Sequence, residues 1–188
     1  IAQTPTNLLL VNIIVISAMA LLLLWPSYFG VSLRQTLQAI ALNSPFPKIL
    51  SSLQYGVGAY LAFLPVLLLF LTIYSSTLQR YNVNIAEASH PLVNVLLSAD
   101  NNFILIESLL LAVIVAPIIE EIMFRGFFYN WLRSFLGSSF SIIVSSLVFA
   151  LLHPQGLIGI LPLFLIACLL GFLREWKDNL WINIFAHA

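Results

Sequence analysis

Two adjacent glutamates lie within one of the most apolar stretches of this chain. Residues 103–132 read FILIESLLLAVIVAPIIEEIMFRGFFYNWL and contain Glu120 and Glu121, followed four residues later by Arg125. A charged side chain at the centre of a bilayer costs about 2.5–3.5 kcal/mol on insertion scales, so such acids require a partner or a chemical role. Two histidines, His153 and His187, lie in later apolar segments. We interpret the five side chains as a candidate catalytic site.

Helical geometry separates the two glutamates. Glu121 and Arg125 are spaced i and i+4, which places them on one face with the acid N-terminal to the base, as an ion pair prefers. Glu120 points about 100° away and has no such partner within its own helix. The spacing therefore predicts a structural pair, Glu121 with Arg125, and leaves Glu120 as the candidate for chemistry.

Three side chains from different segments are predicted to lie at a similar depth in the membrane. At a rise of about 1.5 Å per residue, Glu120 lies about 20 Å above Arg133, which we place at one face of the membrane. His153 lies about 21 Å above Ser139, which we place at the same membrane face. His187 lies about 14 Å above Asp178, level with Arg125. We expect Glu120, His153 and His187 to meet in the middle of the membrane.

These side chains are suited to hydrolysis by an activated water molecule. A carboxylate in an apolar pocket can serve as a general base, and a neighbouring histidine can help to orient and deprotonate the water. A second histidine can donate a hydrogen bond to a developing oxyanion. The same atoms could instead bind a divalent metal such as zinc, with Glu120, His153 and His187 as ligands, although the sequence lacks HExxH. The preferred interpretation requires no cofactor.

The composition is that of a membrane protein. Hydrophobic residues make up 61% and charged residues 7% of the chain, whereas a soluble domain carries about 25% charged residues. The net charge of zero argues against nucleic acid as a partner. Apolar runs long enough to cross a bilayer predict one all-α, polytopic bundle with the site in its interior; the spans are 8–29, 55–78, 103–132, 139–153 and 156–173, and a sixth begins near 179.

The loops predict an orientation. Five of the seven basic residues fall in loops on one side, which the positive-inside rule places in the cytoplasm. The segment between the first two spans, residues 31–54, has room for a short amphipathic helix before the break at Pro45-Phe46-Pro47. We therefore expect an integral, multi-pass protein with cytoplasmic basic loops.

Two motifs resemble a known family. Glu120-Glu121-Ile-Met-Phe-Arg125 matches EExxxR, and Phe149-Ala-Leu-Leu-His153 matches FxxxH. These motifs are similar to those of the CAAX-protease and bacteriocin-processing family of intramembrane endopeptidases. The resemblance covers residues 103–188 as a catalytic core, whereas residues 1–102 form N-terminal spans and loops. The family's third motif begins with His187, and its partner four residues on would lie past Ala188, so we interpret the chain as a fragment.

The resemblance implies a role for each residue. Glu120 and His153 would activate the water, His187 would stabilise the oxyanion, and Glu121 with Arg125 would hold the site together. Phe149 is expected to position His153 by packing. The implied substrate is a membrane-associated peptide or protein, with or without a prenyl group, in the plasma membrane of a prokaryote.

Other functions use the same residues. A catalytically silent family member would act as a membrane binding or immunity protein, and a transporter would use the acids and histidines as a proton relay. No pair of matching broken segments favours transport. At the level of packing, Glu120 could pair with Arg174 or a histidine, and His153 could simply cap a helix before Pro154.

Overall fold

The computed structural model describes residue 14, residues 17–83 and residues 102–188. Every regular element in these ranges is a helix, which confirms the predicted all-α class. Most of the first part of the predicted span 8–29, and residues 84–101, lie outside the described residues.

Seven helices follow one another along the described chain. The fourth, α4 (residues 102–136), joins the consecutive helical segments from Asn102–Leu110 to Tyr129–Leu136. The others are α1 (Ser17–Phe29), α2 (Leu33–Ala39), α3 (Phe46–Arg80), α5 (Ser138–Leu152), α6 (Gly156–Lys177) and α7 (Leu180–His187).

Among the described helices that are α-helical without interruption, two are long and apolar enough to cross a bilayer by length and composition. They are α6 over Gly156–Lys177 and α3 over Lys48–Arg80, each with an 18-residue stretch of mean hydropathy 2.6 and 2.2, respectively. The apolar helices α1 and α5 are shorter; at about 1.5 Å per residue, α5 spans about 22 Å. The count of six spans stays a prediction.

The start of α3 differs from the prediction. Its first residue is Phe46, so residues 46–54 of the predicted loop 31–54 are helical. Pro47 lies in the first turn, where a missing N–H costs nothing because that group would have no intrahelical partner. The proline-rich segment therefore begins a helix rather than breaking one. The predicted short helix before it is present as α2, which starts with a capping box between Ser32 and Gln35.

Helix α4 contains two π-helical segments, Leu111–Val115 and Ile122–Phe128. The second begins directly after Glu121, and the amide of Tyr129 at its end donates to the carbonyl of Phe124, five residues back. In an α-helix that amide would instead bond to Arg125. The Arg125 carbonyl accepts from Arg174 Nε at 3.3 Å, so the wide turn allows a side-chain donor from α6.

Polar contacts join the end of α4 to the end of α6. The buried Tyr129 hydroxyl donates to the Glu175 carboxylate, and Arg133 Nη2 lies 2.9 Å from the other oxygen of Glu175. The residue before Glu175, Arg174, pairs with Asp178, which caps the end of α6. These bonds fix the height of α4 relative to α6, and with it the height of the two glutamates.

We expect Tyr129→Phe to lower the free energy of unfolding by about 1–2 kcal/mol, because the change removes a buried donor to a carboxylate. Thermal unfolding of the purified protein in detergent measures this. Tyr28→Phe is the control, since the Tyr28 side chain is exposed. Equal melting temperatures for the two variants would contradict the expectation.

Candidate functional site

Three side chains from three helical elements converge on one point. The Nε2 atom of His187, on α7, lies 3.5 Å from Glu120 Oε2 on α4. The Nε2 atom of His153, which follows α5, lies 3.6 Å from the same oxygen. The structure thus brings together the three residues that the sequence assigns to chemistry.

The position of His153 follows from the proline after it. A residue before proline disfavours the α conformation, and His153 accordingly leaves the helix with φ −83° and ψ 144°. Its Nδ1 lies 2.7 Å from the carbonyl oxygen of Phe149, and the two rings lie 4.2 Å apart between centroids. Phe149 therefore orients His153 through its backbone as well as its ring.

The neighbouring residue Glu121 contacts two side chains, those of Arg125 and His187. Its Oε1 atom accepts from Arg125 Nη1 at 3.0 Å and lies 2.9 Å from His187 Nδ1. The second arm of the guanidinium, Nη2, donates to the Ala167 carbonyl on α6 at 3.0 Å. The guanidinium carbon also lies 4.6 Å from the centre of the Phe149 ring. One carboxylate thus links α4 to α7, and Arg125 links that carboxylate to α6.

Burial divides the site into two layers. The side chains of Glu121 and Arg125 are 0% and 1% exposed. By contrast, Glu120 is 27%, His187 20% and His153 16% exposed. Glu121 and Arg125 are therefore sealed inside the protein, whereas Glu120, His153 and His187 are partly exposed.

The hydrogen bonds set the tautomers of both histidines. A carbonyl oxygen only accepts, so Nδ1 of His153 carries hydrogen, and Nδ1 of His187 donates to the ionised Glu121. When both rings are neutral, each presents the lone pair of Nε2 to the Glu120 carboxylate. Three acceptors then face one another across gaps too long for direct hydrogen bonds. A water molecule or a proton on one ring would satisfy them.

The predicted zinc ligands are Glu120, His153 and His187. Among the described residues, no group of three or more His, Cys, Asp or Glu side chains is arranged to hold a metal ion. No step of the proposed chemistry below uses a metal, and zinc dependence stays a prediction to be tested.

The sequence did not predict the contacts that two further buried polar residues near the site, Asn183 and Arg174, make in the structure. Asn183 lies one turn before His187, with Nδ2 donating to the Leu170 carbonyl at 2.5 Å. Arg174, considered as a partner of Glu120, instead bonds to Asp178 and to the Arg125 carbonyl. The i, i+4 spacing of Arg174 and Asp178 was the signal for this pairing.

Residues 102–188 match the family model described as Type II CAAX prenyl endopeptidase Rce1-like. The matched segment contains helices α4 to α7 and all residues of the two-layer site. No curated protein and no solved structure matches the chain.

We expect Arg125→Met to lower the free energy of unfolding by about 3–5 kcal/mol, because it leaves the Glu121 carboxylate buried without a compensating charge. The double variant Glu121→Gln/Arg125→Met should lose less than the sum of the two single changes. Thermal unfolding measures all three. Arg133→Met, which breaks an exposed pair, should cost at most about 1 kcal/mol. Additive losses in the double variant would contradict a coupled pair.

Proposed function

Because residues 102–188 match the model of a CAAX prenyl endopeptidase family, we propose that the chain is an intramembrane endopeptidase that uses Glu120 to activate water. The observation that carries the proposal is the convergence of His153 and His187 on one oxygen of Glu120. The match agrees with the family recognised from the motifs, which is a family of membrane-embedded proteases.

In the proposed reaction, a water molecule binds between Glu120 and His153. The gap of 3.6 Å between Glu120 Oε2 and His153 Nε2 exceeds a direct hydrogen bond and suits two atoms that share a third partner. Because Nδ1 of His153 faces a carbonyl, Nε2 is the ring atom available to the water. The pair takes one proton from the water as its oxygen attacks the carbonyl carbon of the peptide bond.

His187 stabilises the negative charge on the resulting tetrahedral intermediate. To donate through Nε2, the ring must carry hydrogen on both nitrogens, since Nδ1 is directed at Glu121. Such a charged donor, held in place before the reaction, provides electrostatic stabilisation where charge develops. Its position depends on Glu121, which Arg125 holds in turn.

Collapse of the intermediate breaks the carbon–nitrogen bond. The proton held by Glu120 and His153 passes to the leaving amine, so the pair returns to its starting state. The products are a carboxylic acid and an amine, and the only reactant consumed besides the peptide is water. Glu121 and Arg125 exchange no proton in this cycle and act as positioning residues.

The proposed substrate is a peptide or protein at the membrane, with or without a prenyl group. The apolar composition and the spans α3 and α6 support cleavage within a lipid bilayer. We place the protein in the plasma membrane of a prokaryote with its basic loops in the cytoplasm.

We expect Glu120→Gln to reduce peptide release by about 10²–10⁴-fold, the usual contribution of a general base. Peptides released from membranes that carry either form, at matched expression, measure the effect. Glu107→Gln is the control because it makes the same change on the same helix, about 20 Å away. Identical peptide profiles for all three proteins would favour the binding or immunity function, and proton-coupled uptake lost with Glu120 would favour a transporter.

We expect a metal chelator to leave peptide release unchanged, because the proposed water is activated by Glu120 and His153 alone. The measurement is release from purified protein before and after treatment with a chelator. Loss of activity that added zinc restores would replace this mechanism with the metal-dependent one.

A further inference from the structure

Helix α7, which carries His187, lies directly against α3, a helix outside the segment that matches the family model. We infer that α3 positions His187 in the site and that Gly56 is the residue through which it sets the height of α7. The kinetic consequence of this inference rests on the proposed endopeptidase function, whereas its geometric consequence does not.

Gly56 allows the backbones of the two helices to touch. A Cβ atom at this position would lie 2.6 Å from the Ile182 carbonyl oxygen and 2.9 Å from the Ala186 amide nitrogen. These two groups are the pair that an α-helix joins by a hydrogen bond. They close the turn immediately before His187. Since both are backbone atoms, no side-chain rotation relieves the clash, and the backbones of α3 and α7 must move relative to each other.

The same face of α3 also holds the start of α7. Ser52 lies one turn before Gly56, is buried, and accepts a hydrogen bond from Asn179 Nδ2 at 2.8 Å. Asn179 is the N-cap of α7, where its side chain accepts from the amide of Trp181. Ala59, a further turn along α3, packs against the apolar cluster that includes Ala186.

The loop between α2 and α3 adds two bonds at this end. The Leu180 amide donates to the Ala41 carbonyl at 3.0 Å, and the Trp181 indole donates to the Leu42 carbonyl at 3.2 Å. Thus α7 is held at its start by hydrogen bonds and near its end by backbone contact. All of these partners come from residues before 102.

A small shift of α7 has a direct effect on the site. His187 follows Ala186 and must keep Nδ1 at 2.9 Å from Glu121 and Nε2 at 3.5 Å from Glu120. A misplacement of about 1 Å in a catalytic group can cost about 100-fold in rate. Gly56 is therefore a positioning residue, acting through the backbone of α7.

The test compares Gly56→Ala with Gly58→Ala in the full chain. Both changes replace glycine by alanine in the same helix, so both gain the same intrinsic helix propensity. A Cβ at Gly58 meets nothing within 4 Å. We expect Gly56→Ala to lower kcat by about 10- to 100-fold with a smaller change in KM. Gly58→Ala should behave as the unmodified protein.

A second readout does not depend on activity. Histidines labelled with ¹⁵N report the tautomer and hydrogen bond of each ring, and the chain contains only three histidines. We expect Gly56→Ala to change the Nδ1 signal of His187 and to leave that of His153 in place. Gly58→Ala should change neither signal. An unmodified His187 signal and kcat in Gly56→Ala would overturn the inference.

A serine pair covers the case in which Gly56→Ala does not fold. Ser51 and Ser52 both donate to the Lys48 carbonyl, but only Ser52 also accepts a hydrogen bond from Asn179. We expect Ser52→Ala to lower kcat by about twofold to tenfold, as for one lost hydrogen bond, and to shift the His187 signal. Ser51→Ala should do neither. If Gly56→Ala does not fold, equal behaviour of the two serine variants would overturn the inference.

The two readouts separate this inference from the proposed function. If the unmodified protein releases no peptide but the His187 signal responds to Gly56→Ala, the function fails and the positioning role of α3 stands. If peptide release depends on Glu120 while both Gly56→Ala and Ser52→Ala match their controls, the function stands and the positioning role fails.

Discussion

The site depends on one carboxylate that is fully removed from solvent. Glu121 is ionised beside Arg125, and a charge in such a place is tolerated only when it is paired and hydrogen-bonded. The Oε1 atom meets both the guanidinium and His187, so the interaction that neutralises the acid also orients a reactive ring. Arg125 extends the connection to the Ala167 carbonyl on α6. Removing Glu121 or Arg125 would leave the other charge buried and unpaired, so this pair couples the packing of α4 to that of α6 and α7.

Glu120, His153 and His187 are positioned next to this buried pair, each by a different contact. Glu120 is adjacent in sequence to Glu121 but faces the opening, because consecutive residues on a helix point about 100° apart. His153 reaches it from the end of α5, where the following proline ends the helix. His187 reaches it from α7, whose own placement comes from α3 and from the loop before it. The family match limited to residues 102–188 therefore includes the proposed catalytic residues but not all of the residues that hold them in place.

Much of the site was predictable because it follows from local geometry. The i, i+4 spacing gave the pair Glu121 and Arg125, and counting residues from the helix ends brought the three reactive side chains to one layer. The remainder depends on contacts between distant segments. Gly56 and Gly58 are separated by one residue in an apolar sequence, and only the packing of α7 distinguishes the buried glycine from the exposed one. The early start of α3 at Phe46 was missed because proline near a helix start and proline at a break look alike.

The π-helical segment after Glu121 affects how relatives of this chain can be aligned. A π turn accommodates one more residue than an α turn, so it acts as a one-residue insertion within a continuous helix. The EExxxR motif is still recognisable in the sequence. The residues after the π-helical segment, however, are rotated by about 100° about the helix axis from their positions in a regular α-helix. Tyr129, which reaches Glu175, therefore sits at a rotational position that a fixed-spacing pattern assigns to a different residue. A homologous protein with a regular helix here would place the equivalent tyrosine one residue earlier, and a gap-free comparison would report it as absent.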